Sequence, residues 1–310
     1  MTISGFTFLR NANKLHYPIR ESILSILEIV DEFVIALGKG DIDDTSLAII
    51  QDINSPKIKI INTVWALDKY PNGTVYAHQT DLAKQHCTGD WLFYLQGDEL
   101  IHEDDLEEIK TACSLNFSNK KIEGFVFNYL HFWGDYEHYF ADHCWYQREV
   151  RIIRNIPEIQ SWRDAQSFRF VTDSQNYSYG SNENSRKLNC KLLTARVFHY
   201  GWVRPPDKIK IKNEQVMKNY NQSFLNFDSN GFDFGRMDYC KIFNESHPKN
   251  MARKIEELNW KDSLRYKGPN TIGRNELKHE KLKYRIIIWI EKNLLGGILI
   301  GGFKNYKLID

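Results

Sequence analysis

Continuously apolar segments alternate with amphipathic ones over the first third of the chain, and this alternation constrains the fold more than any other feature. The apolar segments have the length of buried strands and lie at 3–9, 33–37, 58–61 and 91–95. The segments between them have helical spacing, as in the run from Ile19 to Val30 that follows Pro18. Strands that are apolar on both faces and separated by helices form parallel sheets covered on both sides. The sequence therefore predicts an open α/β sheet, mainly parallel, with helices on both faces.

The alternation changes after about residue 120. Further strands are predicted without regular helical crossovers, at 124–130, 146–153 and 191–200, and a Ser/Asn/Tyr-rich loop at 173–185. Helices return at 206–220 and 248–258. We therefore expect three parts, namely an α/β half over 1–120, a mixed second half of the same domain over 121–205, and a helical C-terminal extension over 206–310.

Charge and cysteine usage narrow the class of protein. The 310 residues include 41 Lys+Arg against 40 Asp+Glu, which is a net charge of +1 and argues against nucleic acid as a partner. The five cysteines are odd in number and form no Cys-x-x-Cys pair, as expected for reduced thiols in the cytoplasm. We find no signal peptide, and the apolar runs 286–290 and 294–300 are too short to span a membrane.

Polar residues follow the predicted strands at the edge where open α/β sheets bind ligands. They are Arg10-Asn11 after the first strand, 38–44 after the second, 65–70 after the third and 96–99 after the fourth. Asp98 and Glu99 supply oxygen ligands that suit Mg²⁺ or Mn²⁺ bridging a diphosphate. They are equally typical of residues that merely cap the turn, because Asp is common in turns.

A second group of polar residues lies at 198–204, at the end of a predicted strand. His199 could complete a mixed nitrogen and oxygen shell around a metal, and Arg204 could bind phosphate through two hydrogen bonds. A histidine between aromatic residues is also typical of a packed core. Lys208, Lys210 and Lys212 lie on the following helix, and we expect them to form a solvated face.

Several short motifs, taken in order, resemble those of family-two glycosyltransferases with the GT-A fold. They are Asp31-Glu32 before the second strand, Asp43-Asp44-Thr45 after it, Gly89-Asp90-Trp91 before the fourth, and Leu95-Gln96-Gly97-Asp98-Glu99 after that. The resemblance covers about residues 1–115, and more loosely the chain to about 205. It implies a metal-assisted, inverting transfer of a sugar from a nucleotide-sugar donor, with Mn²⁺ or Mg²⁺, to a glycan or lipid-linked saccharide of a surface-polysaccharide pathway.

The resemblance also implies roles for single residues. Asp98 matches the last acidic residue of an Asp-x-Asp motif and would bind the metal, joined by His199. The donor nucleotide and its diphosphate would be bound by Arg10, Asn11, Asp41, Gln96, Asp98 and Arg204. The chain departs from the family at Gln96, which replaces the first acid of the motif, and at Gly38, which stands where an Asp often contacts the nucleobase. In this scheme residues 1–120 bind the nucleotide-sugar and 121–205 bind the acceptor.

An acidic residue of the second half acts as general base in the family, deprotonating the acceptor hydroxyl. We expect Asp164 to take this role, with Asp135, Asp142 and Glu99 as competitors. The alternative for Asp164 is a surface ion pair with a neighbouring arginine. The aromatic segment 131–146 suits a sugar platform or a flap, and its histidines His131, His138 and His143 match no structural zinc pattern.

Two other functions compete with a transferase. A nucleotidyltransferase would need a glycine-rich phosphate loop after the first strand, and residues 9–15 contain no glycine. A catalytically silent sugar-nucleotide-binding or scaffold protein is kept open by Gln96 and Gly38. The basic and apolar segment 281–307 suits peripheral contact with the inner face of a membrane, or packing on the domain or on a partner subunit in a homo-oligomer.

Overall fold

A long mixed sheet forms the centre of the protein. The computed structural model describes residues 1–220, 227–228, 231–268, 275–296, 298, 300–301 and 304–309. Its strands are β1 (Ile3–Leu9), β2 (Glu32–Gly38), β3 (Ile58–Thr63), β4 (Trp91–Tyr94), β5 (Glu99–Ile101), β6 (Gly124–Trp133), β7 (His138–Phe140), β8 (Arg148–Arg154), β9 (Ile159–Trp162), β10 (Ser167–Val171), β11 (Ser185–Trp202), β12 (Phe227–Asp228), β13 (Gly231–Phe232), β14 (Lys241–Ile242) and β15 (Tyr306–Leu308).

Helices connect the strands of the first half and recur near the C-terminus. They are α1 (Ile19–Ile26), α2 (Ser46–Gln51), α3 (Thr74–Gln85), α4 (Leu106–Leu115), α5 (Pro206–Tyr220), α6 (Ala252–Glu256) and α7 (Leu282–Asn293). The helix predicted at 248–258 is shorter than expected, because the chain first forms a 3₁₀ turn at Lys249–Met251 and α6 begins only after it. Within the described residues, no helix has the length and hydrophobicity needed to cross a membrane.

The strand order confirms the predicted α/β sheet with a parallel first half and a mixed second half. The central path runs β3-β2-β1-β4-β8-β6-β11-β10-β9. The first four strands of this path are parallel, and β8 pairs antiparallel with both β4 and β6. The strand order reverses between β1 and β4, because β2 and β3 lie on one side of β1 and β4 on the other, so the polar residues that follow β1 and β4 open onto a crevice at the carboxyl ends of the parallel strands.

Alternate side chains of the parallel strands enter cores on opposite faces of the sheet. Ile3 and Leu9 of β1 belong to the core that α1, α2 and α4 cover, whereas Phe6 belongs to the core beneath α3. This explains why these strands are apolar on both faces. A third core, rich in aromatic rings, joins β6, β7 and the end of β11 to the C-terminal segments.

The short strand β5 has no counterpart in the sequence prediction, and it positions the candidate site. It pairs antiparallel with β11, with Glu99 opposite His199. The backbone carbonyl of Asp98 accepts a hydrogen bond from the Tyr200 amide at 2.8 Å. Two segments that lie about a hundred residues apart in sequence are thereby held side by side, and both end at the crevice.

Candidate active site

A cavity of about 850 Å³ opens at the carboxyl ends of β1 and β4. This volume is within the range of small-molecule and cofactor sites. Its wall includes seven of the residues that the sequence singled out for donor, metal or base roles: Arg10, Asn11, Asp41, Gln96, Asp98, Asp164 and His199. Arg204, the eighth, is fully buried and lies outside the cavity wall. The structure therefore gathers residues from five separate parts of the chain around one space.

Asp98 and His199 lie side by side in the cavity wall. The Oδ2 atom of Asp98 is 3.7 Å from Nε2 of His199, and both side chains are largely buried. Burial lowers the pKa of His199 to about 3, so that the imidazole is neutral near pH 7 and keeps a lone pair. One carboxylate oxygen and one neutral imidazole nitrogen at this spacing form a donor set that fits Mn²⁺ or Mg²⁺.

Gly201 has no side chain, and this keeps the space between Asp98 and His199 open. A Cβ atom built on Gly201 would lie 2.6 Å from Nε2 of His199 and 2.7 Å from Oδ2 of Asp98. The register of β11 against β6 shifts between His199 and Trp202, which turns the backbone at this point. Only glycine can therefore occupy this position without displacing one of the two side chains.

Two basic side chains, Lys212 and Arg204, lie next to Asp98 and His199 and donate to the same backbone carbonyl. The Nζ atom of Lys212 and Nη2 of Arg204 each donate a hydrogen bond of 2.7 Å to the carbonyl of Gly201. Arg204 also donates to the carbonyl of Leu15, so its guanidinium is engaged by the backbone. Lys212 is the cation that lines the cavity, and burial, followed by the nearby charge of Arg204, lowers the pKa of Lys212 to about 7.

The expectation that Lys212 belongs to a solvated helix face is therefore wrong. Its ammonium lies 5.0 Å from the ring centroid of Trp202 and 5.5 Å from that of Tyr17, within the range of cation–π interactions. The helical spacing of the three lysines could not distinguish the inward residue from its neighbours, because the inward face of α5 is mixed in polarity: Ile209 joins the aromatic core, whereas Gln215 and Tyr220 form hydrogen bonds.

Aromatic rings line the end of the cavity next to β1. The ring of Phe8 stacks on Tyr76 at 5.6 Å, and Trp65 meets Tyr76 edge-on at 5.4 Å. The guanidinium of Arg10 lies 5.2 Å from the centre of the Trp65 ring. Gly38 lies directly against this indole, where any Cβ would collide with it. The absence of an acidic side chain at position 38 thus has a packing explanation in this chain.

Asn11 connects three segments beside these rings. It is buried with a positive φ of 52°, its side-chain carbonyl accepts from the Asp41 amide at 2.8 Å, and its amide donates to Gln215 of α5 at 3.3 Å. Asp41 is paired with Lys14 at 2.7 Å, and this hydrogen bond lowers the pKa of Asp41. Gln96 donates from Nε2 to the carbonyl of Ala165 at 3.3 Å.

Asp164 lies where the first cavity meets a second one of about 800 Å³. Its Oδ2 atom accepts a hydrogen bond of 2.7 Å from the hydroxyl of Tyr220, and Gln166 and Tyr220 line both cavities with it. The other side chains of the second cavity are polar or tyrosyl, apart from one proline and one glycine: Lys69, Tyr70, Pro71, Asn72, Thr74, Gln160, Arg163, Ser174, Tyr177, Ser178, Tyr179 and Gly180.

The three acidic competitors of Asp164 lie outside the cavity wall and have other partners. Glu99 accepts two hydrogen bonds of 2.8 Å from Arg151, and both side chains are fully buried. Asp135 accepts from the backbone amides of Glu137 and His138. Asp142 accepts at 3.0 Å from the amide of Cys144. Each of these carboxylates therefore accepts hydrogen bonds that stabilise the fold away from the cavity.

Sequence patterns missed Lys212 and Tyr220 as residues of this site, and they gave His131 only as part of a sugar platform or flap. Lys212 and Tyr220 come from α5, whose inward face is mixed in polarity. His131 lies behind His199, with 2.9 Å between their Nδ1 atoms. A signal for His131 existed, since it lies in a strand rich in aromatic residues, but its partner is 68 residues away in sequence.

Comparisons with known proteins give weak structural likenesses. No family model matches the chain, and no curated protein matches its sequence significantly. Residues 1–349 of S. aureus TarS match over 73% of this chain and 67% of that one, at 12% identity and a TM-score of 0.36. Their complex with UDP-GlcNAc matches over 72% and 68%, at 13% identity and a TM-score of 0.36.

A second protein matches over a shorter region. Glucosyl-3-phosphoglycerate synthase from Mycobacterium tuberculosis, in complex with Mn²⁺, UDP and phosphoglyceric acid, matches over 41% of this chain and 43% of that one. The identity is 19% and the TM-score 0.29. Likenesses at these TM-scores carry no argument about function, which we therefore infer from the residues of the two cavities.

Proposed function

We propose that this protein is a glycosyltransferase that uses a nucleotide-sugar donor, a divalent cation and a saccharide acceptor. The observation that carries the proposal is the convergence of Asp98 and His199 at the carboxyl end of the parallel strands, in a cavity with an aromatic end and a buried lysine. The order of the motifs in the sequence supports the same activity. Mn²⁺ and Mg²⁺ are the cations that the donor set suits.

The donor would lie along the first cavity. Its nucleobase would pack among Phe8, Trp65 and Tyr76, and Arg10 and Asn11 would contact the nucleotide. Asp41, beside Asn11, and Gln96, beside Ala165, offer hydrogen bonds to hydroxyl groups of the donor. The flat face of a nucleobase suits the aromatic rings, and the hydroxyl groups of a ribose suit the polar side chains.

The diphosphate would lie between Asp98, His199 and Lys212. A divalent cation held by Asp98 and His199 would offset the negative charge that builds up on the leaving nucleoside diphosphate. Lys212 would add a positive charge on the cavity side. Arg204 would act from behind the wall, because its hydrogen bonds to backbone carbonyls hold the segment that carries Gly201 and His199.

The acceptor would enter from the second cavity, with Asp164 between acceptor and donor. As general base, Asp164 would accept the proton of the acceptor hydroxyl while its oxygen attacks the anomeric carbon and the diphosphate leaves from the opposite side. This single displacement inverts the configuration at that carbon. The Tyr220 hydroxyl, by donating to Asp164, would hold the carboxylate in place. Tyrosine rings and neutral polar groups suit the saccharide part of a glycan or lipid-linked acceptor.

Helix α7 supports peripheral contact with an anionic membrane surface. Leu282, Ile286 and Trp289 form an exposed apolar stripe on it, while Tyr284 and Ile288 pack on the aromatic core. Basic side chains flank the stripe, as in helices that lie in a membrane interface. We expect the protein to co-sediment with vesicles that contain phosphatidylglycerol and to lose this binding in Trp289→Ser. Binding to neither these nor neutral vesicles would favour a partner subunit.

A thermal-shift experiment tests the central proposal. UDP, GDP, CDP and dTDP are each added with and without Mn²⁺ to the wild type, to Asp98→Ala and to the control Asp104→Ala, whose carboxylate is exposed. A ligand that binds only the folded state raises the melting temperature. We expect a shift with one nucleotide that requires Mn²⁺, persists in Asp104→Ala and disappears in Asp98→Ala.

Turnover of the matching nucleotide-sugar separates the transferase from its alternative. Slow hydrolysis of the donor, or transfer to added saccharides, would support the enzyme. Tight binding without either reaction would support a catalytically silent sugar-nucleotide-binding protein. The absence of any nucleotide-dependent shift would contradict nucleotide binding and would favour a scaffold protein.

A further inference from the structure

His131 lies directly behind the imidazole that faces the cavity. Its Nδ1 atom is 2.9 Å from Nδ1 of His199, and its Nε2 atom is 2.7 Å from the backbone carbonyl of Tyr146. We propose that His131 is a positioning residue that fixes the tautomer of His199, so that Nε2 of His199 faces Asp98 as a bare lone pair ready to bind a cation. This inference rests on the cation site of the proposed function.

The hydrogen-bond chain determines where each proton lies. The carbonyl of Tyr146 can only accept, so Nε2 of His131 carries a hydrogen and donates it. A neutral imidazole has one N–H group, which leaves Nδ1 of His131 as an acceptor. Nδ1 of His199 must then be the donor of the 2.9 Å contact. His199 in turn keeps no hydrogen on Nε2, the atom that lies 3.7 Å from the Asp98 carboxylate.

The surroundings hold His131 neutral and in one orientation. The ring is 1% exposed and lies between the rings of Tyr129 and Trp145, each 5.1 Å away and nearly parallel to it. The buried guanidinium of Arg151 stacks on the same Tyr129 ring at 5.2 Å. A second proton on His131 would therefore be buried near a positive charge, and the flanking rings prevent the imidazole from turning over.

The arrangement places two acceptors opposite each other. A carboxylate oxygen and an unprotonated nitrogen repel one another unless a cation lies between them. The distance of 3.7 Å between Oδ2 of Asp98 and Nε2 of His199 is longer than a hydrogen bond. If His199 carried its hydrogen on Nε2 instead, a small shift of the ring would let Nε2 donate a hydrogen bond to the Asp98 carboxylate. His131 excludes this alternative, because it requires the hydrogen on Nδ1.

Three variants of the full chain test the proposal. His131→Leu removes the acceptor, and His131→Asn keeps a carbonyl oxygen near the position of Nδ1. His247→Leu is the matched control, since His247 is also a largely buried histidine that bridges a tyrosine hydroxyl and a backbone carbonyl, at 2.8 and 2.9 Å. The affinity for Mn²⁺ alone is measured by electron paramagnetic resonance, and folding by circular dichroism.

We expect His131→Leu to bind Mn²⁺ about 10- to 100-fold more weakly, as is usual when the partner of a metal-binding histidine is lost. His131→Asn should recover most of the affinity, and His247→Leu should equal the wild type. Nitrogen-15 NMR of the metal-free wild type should show His199, identified by its loss in His199→Asn, with a protonated Nδ1 and a bare Nε2.

Each other outcome overturns the inference in a distinct way. Unchanged Mn²⁺ affinity in a folded His131→Leu variant, or no recovery in His131→Asn, would refute the positioning role and leave the proposed function standing. A protonated Nε2 in the NMR spectrum would refute it as well. Equal losses in His131→Leu and His247→Leu would show a general loss of packing. Failure of the wild type to bind Mn²⁺ would instead contradict the cation site itself.

Discussion

Replacing Gly201 by alanine tests the cation site at its narrowest point. The new methyl group would lie 2.6 Å from Nε2 of His199 and 2.7 Å from Oδ2 of Asp98, whereas ordinary contacts begin at 3.4 Å. The two ligands would have to retreat by 0.8 Å and 0.7 Å, which are the differences from 3.4 Å. Overpacking of a buried site costs about 1–3 kcal/mol.

If this cost falls on the metal-bound form, Mn²⁺ affinity drops about 5- to 150-fold, since 1.4 kcal/mol corresponds to a factor of ten. Isothermal titration calorimetry with Mn²⁺ measures this change, and thermal unfolding checks that the variant is folded. Gly180→Ala is the matched control, because its Cβ would meet only the Thr74 methyl carbon, at 3.9 Å. A folded Gly201→Ala variant with wild-type affinity would refute the assignment of the site to Asp98 and His199.

Three further predictions concern the cavity and the buried ion pair between Glu99 and Arg151. Burial lowers the pKa of Lys212 to about 7, so the positive charge that attracts a nucleotide is lost as pH rises. Nucleotide affinity measured by calorimetry should therefore fall between about pH 7 and pH 9. The variant Lys212→Met should show a weaker dependence of affinity on pH. Glu99→Gln leaves the charge of buried Arg151 without its partner and should lower the free energy of unfolding, measured by urea titration, by about 3–5 kcal/mol. The control Glu245→Gln breaks an exposed ion pair with Arg196 and should lower it by less than about 1 kcal/mol. Asp164→Asn should reduce transfer about 10²- to 10⁴-fold while nucleotide affinity stays unchanged, and equal transfer rates would exclude Asp164 as the base.

Much of the first half of the fold could be predicted from local sequence patterns. Apolar strands and helical spacing are set by residues close in sequence, so the predicted strands agree with β1 to β4 within a few residues. The cavity residues Arg10, Asn11, Gln96 and Asp98 are predictable for the same reason, because each follows a strand that the pattern identifies. Strand ends in parallel sheets share one edge, and this rule alone brings these side chains together.

The rest depends on contacts between distant segments, which local patterns do not encode. The pairing of β5 with β11 joins residues 99–101 to 197–199, and three residues are too few to show a strand period. The positions of Lys212 and Arg204 relative to the cavity depend on such contacts as well. Arg204 directly follows β11 and Lys212 lies in α5, and only the folded backbone shows that the lysine reaches the cavity while the arginine donates to the carbonyls of Leu15 and Gly201.

The unbroken sheet has a mechanical consequence. Backbone hydrogen bonds join each strand to the next from β3 through β4, β8 and β6 to β11, with local register shifts in the β6–β8 and β6–β11 pairs, so the two halves of the chain share one continuous sheet. A hinge between the halves would have to break a row of these bonds, each worth about 1 kcal/mol. The separation of Asp98 and His199 is therefore fixed by backbone hydrogen bonds between strands and does not depend on the closure of two domains. Helix α5, by contrast, meets the cavity wall largely through side-chain hydrogen bonds, which a ligand could exchange one at a time.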